Sequence, residues 1–295
     1  MIRAAIAIGS NSTRLLVAEK EGNALKNAYR GREETRLFLG LDEEGNIAPE
    51  RLESTALAVA GLAKIAWLRG AEEIALFATS ATRDARNGEK LGERIRELCG
   101  LSLEIISGEE EARLAFFAVA GKERRLVMDI GGGSTEFTWG ENGQILFAKS
   151  AQMGASRLLK QCPIENEADA YRALEIARNA LLPFAEQVNR YAHAPVLVSL
   201  GGSCTTAAAM KMGRIAHGES VEGQKVTLEE ARAHLRLLAS LPLEERKKVP
   251  GLPPERAIHM PHGLCILVSA MELCGYEEMT VSVKNNLDGY LLMQE

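Results

Sequence analysis

Residues 5–14 read AIAIGSNSTR and residues 127–136 read VMDIGGGSTE. Superposed, Ile6-Ala7-Ile8-Gly9 falls on Met128-Asp129-Ile130-Gly131, and Ser12-Thr13 falls on Ser134-Thr135. Each stretch is an apolar run that stops at glycine and resumes after a few small residues, the pattern of strand, tight turn, strand. Arg14 and Glu136 occupy the same offset. The second copy carries an acid, Asp129, where the first carries Ala7. A third strand runs into glycine in APVLVSLGGS (194–203), with the turn Gly201-Gly202-Ser203. After a buried strand, such a turn lets several backbone N–H groups converge on one point without a side chain in the way, which suits an anion. Neither GxxxxGK[ST] nor GxGxxG occurs at these turns, so a P-loop or a dinucleotide site is not indicated.

Outward from these turns the pattern alternates strand and helix. Residues 3–8 and 14–19 read as strands around the first turn. A long helix is expected over 49–68, with Pro49 in its first turn. IALFAT (74–79) reads as a buried parallel strand. RDARNGEKLGERIREL (83–98) reads as an amphipathic helix, LSLEII (101–106) as a strand, and SGEEEARLAFFAVAG (107–121) as a helix capped by Ser107. From 124 the plan repeats: RLVMDI is a strand, a hairpin turns at Glu141-Asn142-Gly143, and CTTAAAMKM follows the third turn as a helix. The repeat divides the chain near residue 121 into two α/β domains, 1–121 and 122–295, with the last helix open to packing back on the first domain.

A chain of 295 residues suits two domains of about 150 each. Its net charge of −5 argues against a broad DNA or RNA footprint. No apolar run reaches the ~18 residues of a membrane span. Five cysteines, odd in number and without CxxC spacing, indicate neither a disulfide framework nor a zinc site. With no secretory leader in the sequence, the expected location is the cytoplasm.

Asp129 closes an apolar strand, where it can reach a cation at the turn or cap the turn itself. Glu136, seven residues on, can approach the same place. Glu109, Glu110 and Glu111 open a helix, where acids are favoured by the helix dipole. One that turns inward is placed to act as a base. His259 and His262 lack a third ligand at suitable spacing and are read as incidental. Cys204 is read as a small turn residue rather than a nucleophile.

GSNSTRLLV, ATSATRDARN, IISGEEEARLAFFAV, VMDIGGGSTEF, MGASRL and GGSCTTAAAM occur in this order. The set resembles the exopolyphosphatase/guanosine pentaphosphate phosphohydrolase (Ppx/GppA) family over nearly the whole chain, in its short two-domain form. The resemblance implies the actin/hexokinase/Hsp70 superfold, two ribonuclease-H-like domains, each with a mixed five-stranded sheet, around a central cleft. It implies release of terminal phosphate from polyphosphate or guanosine pentaphosphate with magnesium or manganese, and, since dimers are common in the family, a homodimer. By motif, Glu111 becomes the general base, and Asp129 and Glu136 the acids beside metal and phosphate. Gly131, Gly132, Gly133, Ser134 and Thr135 become the second phosphate loop. Ser10, Asn11, Ser12 and Arg14 become the first, and Arg83 and Arg256 further arginines for the polyanion.

The chain departs from that family in four places. Ala7 stands where the family has aspartate, Glu222 where it has histidine, and Ala257-Ile258-His259 follow Arg256 in place of the usual residues. NNLDG (285–289) replaces a C-terminal GLRxG. Loss of the first acid leads to an expectation of weaker metal use and turnover. The alternative is a homologue that binds polyphosphate or a phosphorylated guanosine nucleotide as a sensor.

Overall fold

The computed structural model describes residues 1–119, 123–191 and 194–294. The elements are, in order, Ile2–Ile8 (β1), Thr13–Glu21 (β2), Ala24–Glu33 (β3), Pro49–Leu68 (α1), Glu73–Ala78 (β4), Ser80–Asp84 (α2), Gly88–Cys99 (α3), Glu104–Ile105 (β5) and Gly108–Ala118 (α4). Then follow Arg125–Ile130 (β6), Thr135–Glu141 (β7), Gln144–Ala151 (β8), Ala155–Gln161 (α5), Glu167–Val188 (α6), Val196–Leu200 (β9) and Gly202–Lys211 (α7). The last are Lys225–Thr227 (β10), Leu228–Ser240 (α8), Leu243–Arg246 (α9), Met260–Cys274 (α10), Glu278–Val281 (β11) and Asn286–Met293 (α11). The chain divides into two compact units, Met1–Ala118 with Asn286–Glu295, and Val119–Asn285. The closing helix thus belongs with the first unit. The expected division at 121/122, and the end of the expected helix at 120–121, lie outside the described residues.

The first sheet has strand order β3-β2-β1-β4-β5, with β1 antiparallel to β2 and parallel to β4. From Ala4 to Ile8 β1 is apolar and buried because both its faces are covered. Ala4, Ile6 and Ile8 enter a core with Val59, Leu62, Leu91 and Ile95 of α1 and α3. Ala5 and Ala7 enter another with Phe77, Leu114, Leu287 and Leu291, beneath α4 and α11. Leu287, at a departure from the family sequence, is therefore a core residue. Its neighbour Asp288 is buried against Arg30, whose guanidinium donates to it at 3.0 Å. β3 is an exposed, polar edge strand, and its sequence carries too little apolar alternation to announce it.

The second sheet runs β10-β11-β9-β6-β7-β8, six strands where five are implied by the resemblance. The extra one is the three-residue edge strand β10, antiparallel to β11. Leu126, Met128, Ile130 and Phe137 face a core shared with α6, α7, α8 and α10. Asn142 and Gly143 both have positive φ, which makes the expected tight hairpin between β7 and β8.

The expected helix over 83–98 is broken. α2 ends at Asp84 and α3 starts at Gly88. Between them the Asn87 amide accepts from Ile47 N–H at 2.8 Å and donates to Ile47 C=O at 3.0 Å. These distant bonds outcompete helical continuation, a choice local periodicity does not encode.

Two contacts generate tests. A Cβ on Gly289 would lie 1.8 Å from the carbonyl oxygen of Leu114, so α11 meets α4 backbone to backbone there. Gly289→Ala is expected to destabilise the protein by about 3 kcal/mol or more, read by chemical denaturation. His262 is buried, each ring nitrogen 3.1 Å from a backbone carbonyl, of Ile258 and of Cys162. Burial pushes its pKa down to about 4. The unfolded imidazole takes up its proton near pH ~6.5, so the stability held above that pH is lost as pH falls from ~6.5 towards 4. The loss reaches about 3 kcal/mol, and His262→Gln flattens that limb of a stability–pH profile.

Candidate functional site

In each unit the candidate residues gather about the carboxyl ends of parallel strands, where loops of open α/β sheets meet ligands. In the first unit β1 runs into Gly9-Ser10-Asn11-Ser12. The turn is closed by Gly9 N–H donating to Ser12 C=O at 3.0 Å. Its carbonyls are also engaged: Asn11 C=O accepts from Arg36 N–H and Ser10 C=O from Phe38 N–H, both at 2.9 Å. β4 ends beside it, Thr79 N–H donating to Ile8 C=O at 3.1 Å, and α2 begins at once. That places Arg83 one helical turn from the loop.

β5 leads into α4. Ser107 Oγ accepts from Glu110 N–H at 3.1 Å, as its capping role requires. The three acids then separate. Glu109 is exposed, Glu110 pairs with Arg113 at 3.5 Å, and Glu111 is buried with 7% exposure. Arg83 Nη1 lies 3.5 Å from Glu111 Oε2 and donates to Ile106 C=O at 2.9 Å. Arg83 therefore joins the strand end, the first loop's neighbourhood and the buried acid.

In the second unit β6 runs into Gly131-Gly132-Gly133-Ser134. Gly131 N–H donates to Ser134 C=O at 3.0 Å, the same closing bond at the same distance as in the first turn. The loop's carbonyls face the protein. Gly131 C=O accepts from Ala155 N–H at 3.0 Å, Gly132 C=O from Ser156 N–H at 2.8 Å, and Gly133 C=O from Arg157 Nε at 2.7 Å. A Cβ on Gly154 would sit 2.5 Å from the Gly132 carbonyl, so the MGASR stretch needs glycine there. Thr135 Oγ1 donates to Met153 C=O at 2.6 Å.

Asp129 and Glu136 are directly opposite one another in the β6–β7 ladder, hence on one face of the sheet. Both are buried. Ser150, opposite Glu136 in β8, donates its hydroxyl to Glu136 Oε1 at 2.7 Å. Gly201, with φ +91°, leaves room for Asp129: a Cβ there would lie 2.8 Å from Asp129 Oδ1 and 2.4 Å from Ile130 C=O. Arg256 packs over Gly202 and donates to Gly202 C=O and, at 2.8 Å, to Thr206 Oγ1. The third glycine turn is thus wedged between Asp129 and Arg256.

The ladder positions equivalent to Asp129 and Glu136 are Ala7 and Arg14, also direct partners. Where the second hairpin presents two carboxylates, the first presents a methyl and a guanidinium. Glu222, a further departure from the family pattern, holds the strand end after β11. Its carboxylate accepts from Ser282 Oγ at 3.0 Å and from Val283 N–H at 2.7 Å. Cys204 is fully buried; burial and then the nearby Asp129 charge push its thiol pKa up, which disfavours the thiolate.

The Ppx/GppA phosphatase family model matches residues 16–292. The chain belongs to that family. It is 31% identical over 286 residues to a guanosine-5'-triphosphate,3'-diphosphate pyrophosphatase of Vibrio vulnificus, covering 95% of this chain. The chain spans only 56% of that relative's length. It resembles the crystal structure of the Aquifex aeolicus Ppx/GppA family member with a TM-score of 0.82 and 26% identity, covering 99% of this chain and 96% of the other. An exopolyphosphatase from Cytophaga hutchinsonii shares the fold with a TM-score of 0.88 at 23% identity, covering 99% and 96% of the two chains. The two-sheet α/β architecture implied by the motif set is the architecture found. The Ppx/GppA motifs MGASRL and GGSCTT and the turn Gly201-Gly202-Ser203 are legible in the sequence, yet Gly154, Arg157 and Ser150 are not singled out by it. Their part is contact with the loops and acids, which spacing does not reveal.

Gly201→Ala is expected to force Asp129 or the Ile130 carbonyl aside and to cost about 2 kcal/mol or more of stability. Thermal unfolding, compared with Gly22→Ala at a positive-φ position with open space, separates the clash from the φ cost.

Proposed function

We propose that the chain is a phosphohydrolase that releases terminal phosphate from inorganic polyphosphate or guanosine pentaphosphate. The observation that carries this reading is the sorting of the three acids at the start of α4. Only Glu111 is buried, and it is the one paired with Arg83. A helix that needed acids only for its dipole would leave all three in water.

Phosphoryl transfer asks a protein for positioning and charge neutralisation more than for covalent chemistry. Within each unit the carbonyls named above are engaged on the protein side, so the turn's N–H groups beyond the closing glycine's are the ones offered to an anion. Ser10, Ser12, Ser134 and Thr135 stand in the same turns, and Arg14 adds a cation on the first hairpin. Glu111, held by Arg83, takes the proton of the attacking water.

The donor set fits a hard divalent cation. Asp129 and Glu136 are buried oxygen donors side by side on one sheet face. Among the described residues no cluster of three or more His, Cys, Asp or Glu could hold a metal, so two carboxylates leave the other positions to water and phosphate oxygens. That division suits magnesium, which keeps several waters. Asp129 and Glu136 would hold it, and it would neutralise charge on the phosphate. Ala7, at the equivalent position of the first hairpin, offers no carboxylate, so only the second hairpin has the donors that would hold such a cation.

Phosphate release should be measured with polyphosphate, guanosine pentaphosphate and simple nucleotides, with Mg²⁺ or Mn²⁺. Glu111→Gln is expected to lower kcat by about 10²–10⁴ with the fold intact by circular dichroism. Asp129→Asn is expected to raise the metal concentration needed. Tight polyphosphate binding without release at any metal concentration would overturn hydrolysis in favour of a sensor. Wild-type rates in Glu111→Gln would remove the base.

A further inference from the structure

Arg32 lies directly opposite Arg14 in the β2–β3 ladder, and Arg14 is opposite Ala7. The row across the sheet therefore reads Arg32, Arg14, Ala7 on one face. Like charges directly opposite in a ladder repel unless an anion lies with them. A third arginine follows. Arg36 has φ +46°, a left-handed conformation that is costly for a side chain of its kind. That kink brings its N–H onto Asn11 C=O in the first phosphate turn, at 2.9 Å.

The kink is held from both sides. Thr35 is buried, its hydroxyl 3.2 Å from that of Thr13, and its carbonyl accepts from Arg51 Nη1 at 3.2 Å. The arginines thus stand on a pinned backbone, not a loose loop.

Between Arg32 and Arg36 sits one carboxylate. Glu34 Oε1 accepts from Arg32 Nη2 at 3.0 Å, and Oε2 accepts from Arg36 Nη2 at 3.1 Å. Each oxygen serves a different guanidinium, as two oxygens of a phosphate group would. The side chains of Arg32, Glu34 and Arg36 are 42%, 31% and 48% exposed. Exposed pairs of this sort contribute little to stability, so displacing Glu34 is cheap. A phosphate carries at least the same charge and more acceptor oxygens.

We propose that Arg32 and Arg36 form a second phosphate subsite, continuous with the first turn through Arg14, and that Glu34 is its internal occupant. It takes a phosphate of an extended chain other than the one released, and so favours substrates with several linked phosphates. This rests on the phosphohydrolase reading above. The first hairpin gives it its setting: the ladder row there carries Arg32 and Arg14 and, at Ala7, no acid.

The test compares Glu34→Gln, Arg32→Ala and, as a control with the same charge change as the first, Glu245→Gln. Glu245 is paired with Lys248 at 2.7 Å on the second unit. Hydrolysis is followed with long-chain polyphosphate, guanosine pentaphosphate and tripolyphosphate. Binding of long-chain polyphosphate is measured separately by calorimetry without metal. Glu34→Gln is expected to lower KM and Kd for the long chain about threefold, and Arg32→Ala to raise them about tenfold, with the change in KM rather than kcat. Glu245→Gln should match wild type. A purely structural ion pair would make Glu34→Gln and Arg32→Ala err in the same direction, and that result overturns the subsite. So does equal behaviour of Glu34→Gln and Glu245→Gln. A wild type that binds the chain without releasing phosphate removes the hydrolytic reading and leaves the subsite to the binding comparison. A wild type that neither binds the chain nor releases phosphate overturns both. If guanosine pentaphosphate responds to Arg32→Ala as strongly as long-chain polyphosphate, the subsite reads the nucleotide's 5'-triphosphate as well.

Discussion

A single backbone hydrogen bond sets the geometry on which the rest depends. In both units a glycine amide at the end of the first core strand donates to the carbonyl three residues on, Gly9 to Ser12 and Gly131 to Ser134. In each case a Cβ on that glycine would stand 3.1 Å from the same carbonyl, so the turn is as tight at one site as at the other. The bond fixes the register of the hairpin, and the register decides which side chains meet across it. Ala7 meets Arg14, and Asp129 meets Glu136. A slip of one residue would turn every one of these to the opposite face.

That common frame carries opposite charges. The first hairpin offers a guanidinium, with a second beside it in Arg32, and the second offers two carboxylates. The first is locally basic and the second locally acidic. With Ala7 in place of an acid, the first hairpin's ladder pair is purely cationic where the second's is purely acidic. Ala7 also packs with Phe77 and Leu114 in the core below α4 and α11. A methyl there is compatible with that apolar setting, where an unpaired carboxylate would be costly.

The other departures from the family pattern have local physical accounts. Glu222 ties down the backbone after β11 through Ser282 and Val283. Leu287 fills the core under the first sheet, and Asp288 is buried against Arg30. Gly289 lets α11 touch the carbonyl of Leu114, one helical turn beyond Glu111. The closing segment thus helps to hold the helix that carries the buried acid.

The amino-acid sequence by itself determined the strand–turn–strand repeats, the helix of residues 49–68, the hairpin at Asn142-Gly143 and the family motifs. These rest on short-range rules: apolar runs, proline at a helix start, glycine where φ is positive. Helix-dipole reasoning favours Glu109, Glu110 and Glu111 equally, and it was the family motif that pointed to Glu111. The sequence did not reveal β3, whose exposed face lacks apolar alternation, nor the break between α2 and α3, which depends on Asn87 reaching Ile47. Only the tertiary structure showed that Glu111 is the one of the three buried beside Arg83, and set Arg32 against Arg14. Both choices depend on which strands lie side by side, and the pairing of distant segments is decided by burial of whole faces rather than by any local pattern.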